Sequence, residues 1–594
     1  MFLWNLAASD YGNAFYAAAA QAGSQSWSAW FFGSLDAHDF ITVDKPPASL
    51  WVTGLSVRLF GMSSWSVLVP QAVMGVVAVA VLFAAVRRAV PDPAQGAAAG
   101  LIAGAVLACT PAAALMFRFN NPDALLVLLL VIAAYCLARA VQVASWRWLA
   151  LVGVVMGTAF LTKMLQGFLV LPGFGMAYLL AAPTTGRKRL LHLTAALAAL
   201  IVSAGWWVLA VQLIPAGSRP YIGGSTNNTV LDLAFGYNGL ARLVGRESDW
   251  GGATGGAVNR TTGPHRLFTT EMGNEISWLL PVALFATGFG AYLALRGRLS
   301  RDECSALVSW GGWLLVTGVV FSYMHGTVHP YYTVALAPAL GALIGLSAVW
   351  AWRVRAAWDG RIAMASLIVL GGWWSSFLLR HNRFGPRWLS TVLLATCAVA
   401  AVGVLIGRRW PLAAGVVAGT GAAVAGTVAF SVATVATPHY GAVPNAVSLV
   451  HPTPGRTPGA QALAERIAVG GWTGDQATNG DLAAMLSATS TPWSAATNGS
   501  QSAAALELAT RTSVMAIGGW SGDPTPTLAQ FVDDVHAGRI AYYVEAGRGG
   551  AAQPHGRVIR SEIHSASHSM EIADWVTDHY RAVTVGTSLV YRLI

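Results

Sequence analysis

The sequence predicts a bundle of membrane-spanning helices followed by a smaller α/β domain held outside the membrane. Three observations carry this. Of 594 residues, 55% are hydrophobic and only 10% are charged, whereas soluble proteins carry about 25% charged residues. The apolar residues gather into runs close to the ~20 residues that a bilayer requires. After residue 436 the runs stop, and short apolar strands begin to alternate with helical stretches. The net charge of +10 is accounted for by basic cytoplasmic loops, so no nucleic-acid partner is expected. Cys109, Cys136, Cys304 and Cys397 lie in or beside apolar segments without metal-ligand spacing, so neither a disulfide framework nor a zinc site is expected.

In chain order, residues 13–22 read as a short amphipathic helix, and Trp27, Trp30, Phe31 and Phe32 form an aromatic cluster suited to a membrane interface. Next comes Asp36-Ala-His-Asp39-Phe-Ile-Thr-Val-Asp44-Lys45-Pro46-Pro47. Proline lacks an N–H and clashes with the preceding turn, so no helix runs through Asp44 and Lys45. Together they form a stiff corner that can hold an acid and a base. Apolar runs follow at 65–86, 97–117, 123–141, 147–164, 166–182, 190–213, 276–295, 305–324, 331–352, 361–379, 388–407 and 411–436. About twelve spans are expected, with one more before Met1 to bring the first loop to the outer side. Successive loops carry Arg87-Arg88, Arg139 with Arg147, Arg187-Lys188-Arg189, Arg296 with Arg298 and Arg301, Arg353 with Arg355 and Arg361, and Arg408-Arg409. Basic loops face the cytoplasm. That puts the Asp36 corner, the 118–122 turn, the 214–275 loop and everything past 437 outside; only Arg380, Arg383 and Arg387 break the rule.

Three domains are expected: a transmembrane domain over 1–436 with outer loops 1–64 and 214–275, a Pro/Gly-rich linker over 437–460, and an extracytoplasmic α/β domain over 461–594. In the last, strands are expected near 493–497, 513–517, 540–544 and 582–592, with helices near 480–487, 500–510, 525–537 and 568–580. The loop Gly518-Gly519-Trp-Ser-Gly522-Asp523 could hold a phosphate or sugar on its N–H groups, but it lacks the full dinucleotide fingerprint, which favours a plain turn.

Polar residues at the outer face are the candidates for chemistry. Arg118-Phe-Asn120-Asn121-Pro122-Asp123 puts two charges at a membrane border, where charge is costly. Only Lys45, Lys163 and Lys188 are lysine among 36 basic residues. Lys163 near the end of its span has a bland reading as a snorkelling residue. His329-Pro-Tyr331-Tyr332 caps another span. The 214–275 loop is too long for a simple connection and holds Arg219, Tyr221, Tyr237, Asn238 and His265, types suited to hydrogen bonding and stacking on sugars. Carboxylates and basic groups on one face of an apolar bundle suit transfer from a lipid phosphate to a hydroxyl: a carboxylate takes the proton, and a cation stabilises the leaving phosphate. A lipid or glycolipid transporter, or a non-catalytic membrane protein that binds envelope polymers, is the competing reading.

Val43-Asp44-Lys45-Pro46-Pro47, Asn120-Asn121-Pro122-Asp123, Leu161-Thr-Lys163-Met-Leu-Gln166, Arg219-Pro-Tyr221-Ile-Gly-Gly-Ser225, His329-Pro-Tyr-Tyr332 and Val514 to Gly519 extend over nearly the whole chain. They resemble the GT-C glycosyltransferases of the protein O-mannosyltransferase and aminoarabinose transferase group, nearest the bacterial YkcA/YkcB-like mannosyltransferase family. The resemblance implies a GT-C-like helical bundle in the cytoplasmic membrane. It also implies inverting transfer of a hexose or pentose, mannose-like, from a polyprenyl-phosphate sugar to an envelope glycan, lipid or protein. On this reading Lys45, Lys163 and Arg118 bind the donor phosphate, and Asn13, Tyr16, Asn120, Asn121, Asp123, Arg219, Tyr221, Tyr237, Asn238, His329 and Tyr331 line the substrate. The group carries an acidic pair before a tyrosine early in the first loop; here Gly12-Asn13 stand there, ahead of Tyr16. Asp36, Asp44 and Asp10 therefore compete for the base, with Asp36 slightly favoured. No cofactor is required; a divalent metal on Asp44 and His265 is the open alternative.

Overall fold

The computed structural model describes residues 1–244, 262–326, 328–446, 479–545, 566–586 and 588–594. Residues 245–261 of the expected outer loop and 447–460 of the expected linker lie outside them. Ten helices among the described residues are long and apolar enough to cross a membrane, from Ser64–Ala89 to Arg409–Ala436. The difference from about twelve has a local cause in two places. The 97–117 run is cut at Thr110-Pro111, where proline cannot continue the helix Pro93–Ala108 and starts a short one, Pro111–Met116. The runs at 147–164 and 166–182 form one element, Trp146–Ala181, joined by a tight turn of helix over Met164–Val170.

Small residues set the packing, because lipid offers helices no hydrophobic drive to associate. In Pro330–Arg353, the most deeply buried span, Gly341 and Gly345 lie so close to Pro93–Ala108 that an added Cβ would sit 2.5 Å from Ala103 O and 2.3 Å from Ala99 O. At the arginine-rich end of this helix, Arg353 pairs with the buried Glu303 at 2.7 Å, and Trp350 Nε1 donates to the same carboxylate at 3.0 Å.

The C-terminal part contains a five-stranded sheet: β1 (Trp493–Asn498), β2 (Val514–Ile517), β3 (Ile540–Val544), β4 (Ala582–Val585) and β5 (Ser588–Arg592), in the order β2-β1-β3-β5-β4. The first three are parallel and linked by the helices Ser500–Thr510 and Leu528–His536; β5 is antiparallel to both β3 and β4. The single strand expected over 582–592 is thus a hairpin, broken beside Gly586 at φ +59°. The sheet unit sits on the helix Ala14–Gln25 and the loop that follows residue 32. Phe15, Leu35, Ile41 and Val43 share one buried cluster with Leu482, Leu486, Ala503 and Val514.

Candidate active site

Residues 33–43 fold back as a hairpin: Leu35 N–H donates to Ile41 O at 2.8 Å and Val43 N–H to Gly33 O at 3.0 Å. Residues Phe40–Thr42 then pair with the segment around Tyr221, through Thr42 N–H to Tyr221 O at 2.8 Å and Tyr221 N–H to Phe40 O at 3.1 Å. This delivers Asp44 and Lys45 to the mouth of the bundle, just before the prolines start the helix Ala48–Phe60. Both are buried, and Lys45 Nζ meets Asp44 Oδ2 at 2.7 Å. Asn238 Nδ2 donates to the Asp44 carbonyl at 2.8 Å.

A second buried pair lies beside the first. Lys163 does not snorkel; its Nζ contacts both oxygens of Asp123, at 2.7 and 2.8 Å. A charge inside a bundle is costly unless so matched. Arg242 is the third cation, donating to Tyr332 Oη at 2.9 Å. Two tyrosine faces join the three: Tyr237 lies under Lys45 and Arg242 at 5.2 and 4.9 Å, and Tyr332 under Lys163 and Arg242 at 3.9 and 5.9 Å. Lys45, Lys163, Gln166, Asn238, Arg242 and Tyr332 line one cavity, whose remaining wall is apolar: Leu165, Leu169, Val320, Phe321 and Met324. Burial pushes the Lys45 ammonium down to about 8; Asp44 opposes the shift, and Arg242 and Lys163 add to it. The His329 imidazole, stacked on Tyr331 at 5.3 Å, is held well below its ordinary value by burial and by the same three cations. Burial, then the neighbouring Asp44, push the Tyr16 phenol up. Three cations against the carboxylates of Asp44 and Asp123 leave the cavity suited to an anion with an apolar tail.

Several candidates are engaged elsewhere. Asp36 is buried in the hairpin turn, where one oxygen accepts from His38 N–H at 2.9 Å and Trp493 Nε1 at 3.2 Å, and the other from Phe40 N–H at 3.0 Å. It joins the loop to β1. Burial pushes its carboxyl up to about 6, against those N–H groups. Arg118 donates to the carbonyls of Met1, Phe2, Trp4, Asn5 and Val435 and so clasps the N-terminal segment. Asn13 and Asn120 bind each other through Asn13 N–H to Asn120 Oδ1 at 2.7 Å and Asn120 Nδ2 to Asn13 O at 2.9 Å, while Asn13 Nδ2 reaches Asn121 Oδ1 at 2.9 Å. These contacts dock the helix Ala14–Gln25. Arg219 braces its own loop through Asn228, and Tyr221 Oη donates to Ser225 O at 2.7 Å. Asp10 is exposed and accepts from Ser64 Oγ at 3.3 Å.

His265 is exposed, ahead of the turn Arg266–Phe268. Among the described residues, no three His, Cys, Asp or Glu side chains come together as metal ligands. The ammonium on Asp44 also disfavours a divalent ion there. Two residues near the cavity escaped the sequence reading. Arg242 is one arginine among many, without a motif. Asp523, in the Gly518–Asp523 loop read as a plain turn, accepts from Gly224 N–H at 2.8 Å, beside Asp44.

Comparison with known proteins agrees along the chain. The family model described as dolichyl-phosphate-mannose-protein mannosyltransferase matches residues 44–208, and the one described as Putative mannosyltransferase YkcB-like, C-terminal, matches 482–579. The chain is 31% identical to Putative mannosyltransferase YkcB of Bacillus subtilis (strain 168), over 92% of this chain and 87% of that protein. It is also 31% identical to Putative mannosyltransferase YycA of the same organism, over 57% of this chain and 60% of that one. Its fold is similar to that of ArnT from Cupriavidus metallidurans, solved bound to undecaprenyl phosphate, with a TM-score of 0.51, 19% identity, and 99% and 96% of the two chains covered.

Proposed function

This chain belongs to the same family as the Bacillus subtilis protein YkcB, a multi-pass membrane family with the GT-C fold of ArnT, and from that premise we propose that it transfers a sugar from a polyprenyl phosphate to a hydroxyl acceptor at the outer membrane face. The observation that carries this is the cavity itself: Lys45, Lys163 and Arg242 beside an apolar wall of Leu165, Leu169, Val320 and Phe321. Such a chamber accommodates a phosphate together with the start of its lipid tail. On the same reading, residues 1–436 form the transferase domain and 461–594 an extracytoplasmic domain. The arginine-rich helix ends lie at the opposite, cytoplasmic side.

Asp44 is the better general base. Asp36 has both oxygens committed to the hairpin and to Trp493, whereas Asp44 adjoins the cations of the cavity. As the acceptor oxygen forms its bond to the anomeric carbon, its proton passes to Asp44. The bond from that carbon to the phosphate oxygen breaks with its electron pair, and the charge collecting on the phosphate is met by Lys45 and Arg242. Attack opposite the leaving group inverts the anomeric centre. Tyr237, Asn238, Tyr331 and His329 would face the sugar, and Asp123 holds Lys163 in place.

The test is release of polyprenyl phosphate from a donor radiolabelled in the sugar, with a panel of hexosyl and pentosyl donors and envelope acceptors. The expected result is label moving to acceptor as free polyprenyl phosphate accumulates. Intact donor crossing the bilayer would identify a transporter instead.

A further inference from the structure

The loop from β2 to the helix Leu528–His536 is wound more tightly than a connection needs. Gly518, Gly519 and Gly522 have φ of +75°, +56° and +77°, a region that favours glycine. A Cβ on Gly519 would lie 2.0 Å from Asp523 Oδ2 and 2.8 Å from Ile41 Cδ1. The loop is thus pressed between its own aspartate and the first outer loop, and Trp520 packs on Phe15 with ring centres 4.8 Å apart.

Asp523 is 1% exposed and pairs with no cation among the described residues. Its Oδ1 accepts from Gly224 N–H at 2.8 Å, an interaction between parts of the chain 299 residues apart. Its Oδ2 has no partner at hydrogen-bonding geometry, although the Trp520 and Ser521 N–H groups lie beside the carboxyl. Gly224, itself at φ +79°, faces Asp44 on its other side, where an added Cβ would be 3.4 Å from Asp44 Cβ. The strip Tyr221–Gly224 is fixed at its near end by Thr42, through the backbone pair to Tyr221 and through Gly223 N–H to Thr42 Oγ1 at 2.9 Å. Asp523 fixes its far end, where the strip backs Asp44.

We propose that Asp523 is a positioning residue: through Gly224 it holds the strip against Asp44, so that the C-terminal domain completes the transferase site. The inference rests on Asp44 being the base. It gives the extracytoplasmic domain a part in turnover that needs no substrate contact of its own.

The experiment uses the full chain in lipid nanodiscs and compares Asp523→Ala, Asp523→Asn and Ser513→Ala. The last removes a different contact at the same interface, Ser513 Oγ to His38 Nδ1. Two quantities are read: hydrogen exchange of the peptide 220–226, and kcat and KM for the polyprenyl-phosphate donor. Losing one buried hydrogen bond makes Asp523→Ala exchange about tenfold faster there and turn over about tenfold slower, at unchanged donor KM. Asparagine keeps an accepting oxygen, so Asp523→Asn returns both within about threefold of the native chain, and Ser513→Ala alters neither. The proposal is overturned if Asp523→Ala keeps native exchange and turnover, if asparagine does not rescue, if donor KM rises with the loss of kcat, or if Ser513→Ala behaves like Asp523→Ala. Should the native chain release no polyprenyl phosphate, the transferase reading fails. The exchange comparison then still decides whether Asp523 latches Gly224.

Discussion

At the scale of single residues, the proposed chemistry rests on Lys45 and Asp44. An ammonium in a partly dry cavity stabilises a developing phosphate charge by a few kcal/mol, so Lys45→Met is expected to lower turnover roughly a hundredfold or more. Asp44→Asn should bind donor yet not turn it over, while Asp36→Asn, which keeps an accepting oxygen for the hairpin turn and Trp493, should keep turnover near native; steady-state rates with a donor-binding assay check both. The Lys45 ammonium stands near about 8. It is charged below that value and neutral above it, so affinity for polyprenyl phosphate should fall as pH rises through that region. The bound anion favours the charged form and moves the midpoint upward. Equilibrium binding against pH reads this, and Lys45→Met should lose the transition. Asp44 and Lys45 could be named from the sequence because they sit in a motif, and Tyr237 and Asn238 because their loop is too long for a simple connection; all four lie at or beside the cavity. Arg242 was not, because a chain that uses arginine for 33 of its 36 basic residues (36 less the three lysines) gives no one arginine a signal. Arg118 was read as a phosphate ligand because sequence shows a charge but not the five carbonyls it faces.

At the scale of elements, that carbonyl clasp has its own consequence. Arg118→Met leaves the carbonyls of Met1, Phe2, Trp4, Asn5 and Val435 without their shared donor. Hydrogen bonds to a charged group contribute about 1.5–3 kcal/mol, so thermal stability should drop measurably while polyprenyl-phosphate affinity stays native. A loss of affinity at native stability would return Arg118 to the donor site. The spans were legible as apolar runs, since length and hydropathy fix them. Two boundaries were not: the apolar run continues past the helix break that Pro111 imposes, and the tight turn of helix over Met164–Val170 joins two runs that read as separate spans. The hairpin β4–β5 was hidden likewise, since 582–592 reads as one apolar strand until Gly586 turns it.

At the scale of the whole molecule, buried carboxyls lie where the C-terminal sheet docks: Asp36 reaches Trp493 of β1, Asp523 reaches Gly224 N–H, and Glu507 accepts from Val514 N–H inside the docked domain. Asp36 stands at about 6 and Asp523 at about 7, and Glu507 is well above the usual range, each raised chiefly by burial. A carboxyl whose folded value exceeds its unfolded value stabilises the fold at low pH and loses that contribution as pH rises through the folded value. Docking should therefore be tightest at or below about pH 4, the ordinary carboxyl value, and loosen progressively as pH rises from there through about 6 to 7, read as hydrogen exchange of 513–523 corrected for its intrinsic pH dependence. Sequence pattern located the domain but not its seat, because the contacts Phe15–Trp520 and Asp36–Trp493 join segments with no local relation. The central claim is that one anion-binding cavity beside Asp44 performs sugar transfer from a polyprenyl phosphate. The most direct measurement follows a sugar-labelled polyprenyl-phosphate donor with the native chain and with Asp44→Asn in the same membranes. The account predicts label on an acceptor hydroxyl with inverted anomeric configuration, one free polyprenyl phosphate per transfer, and neither with Asp44→Asn. Equal transfer by Asp44→Asn, or a donor that stays intact with the native chain, would contradict it.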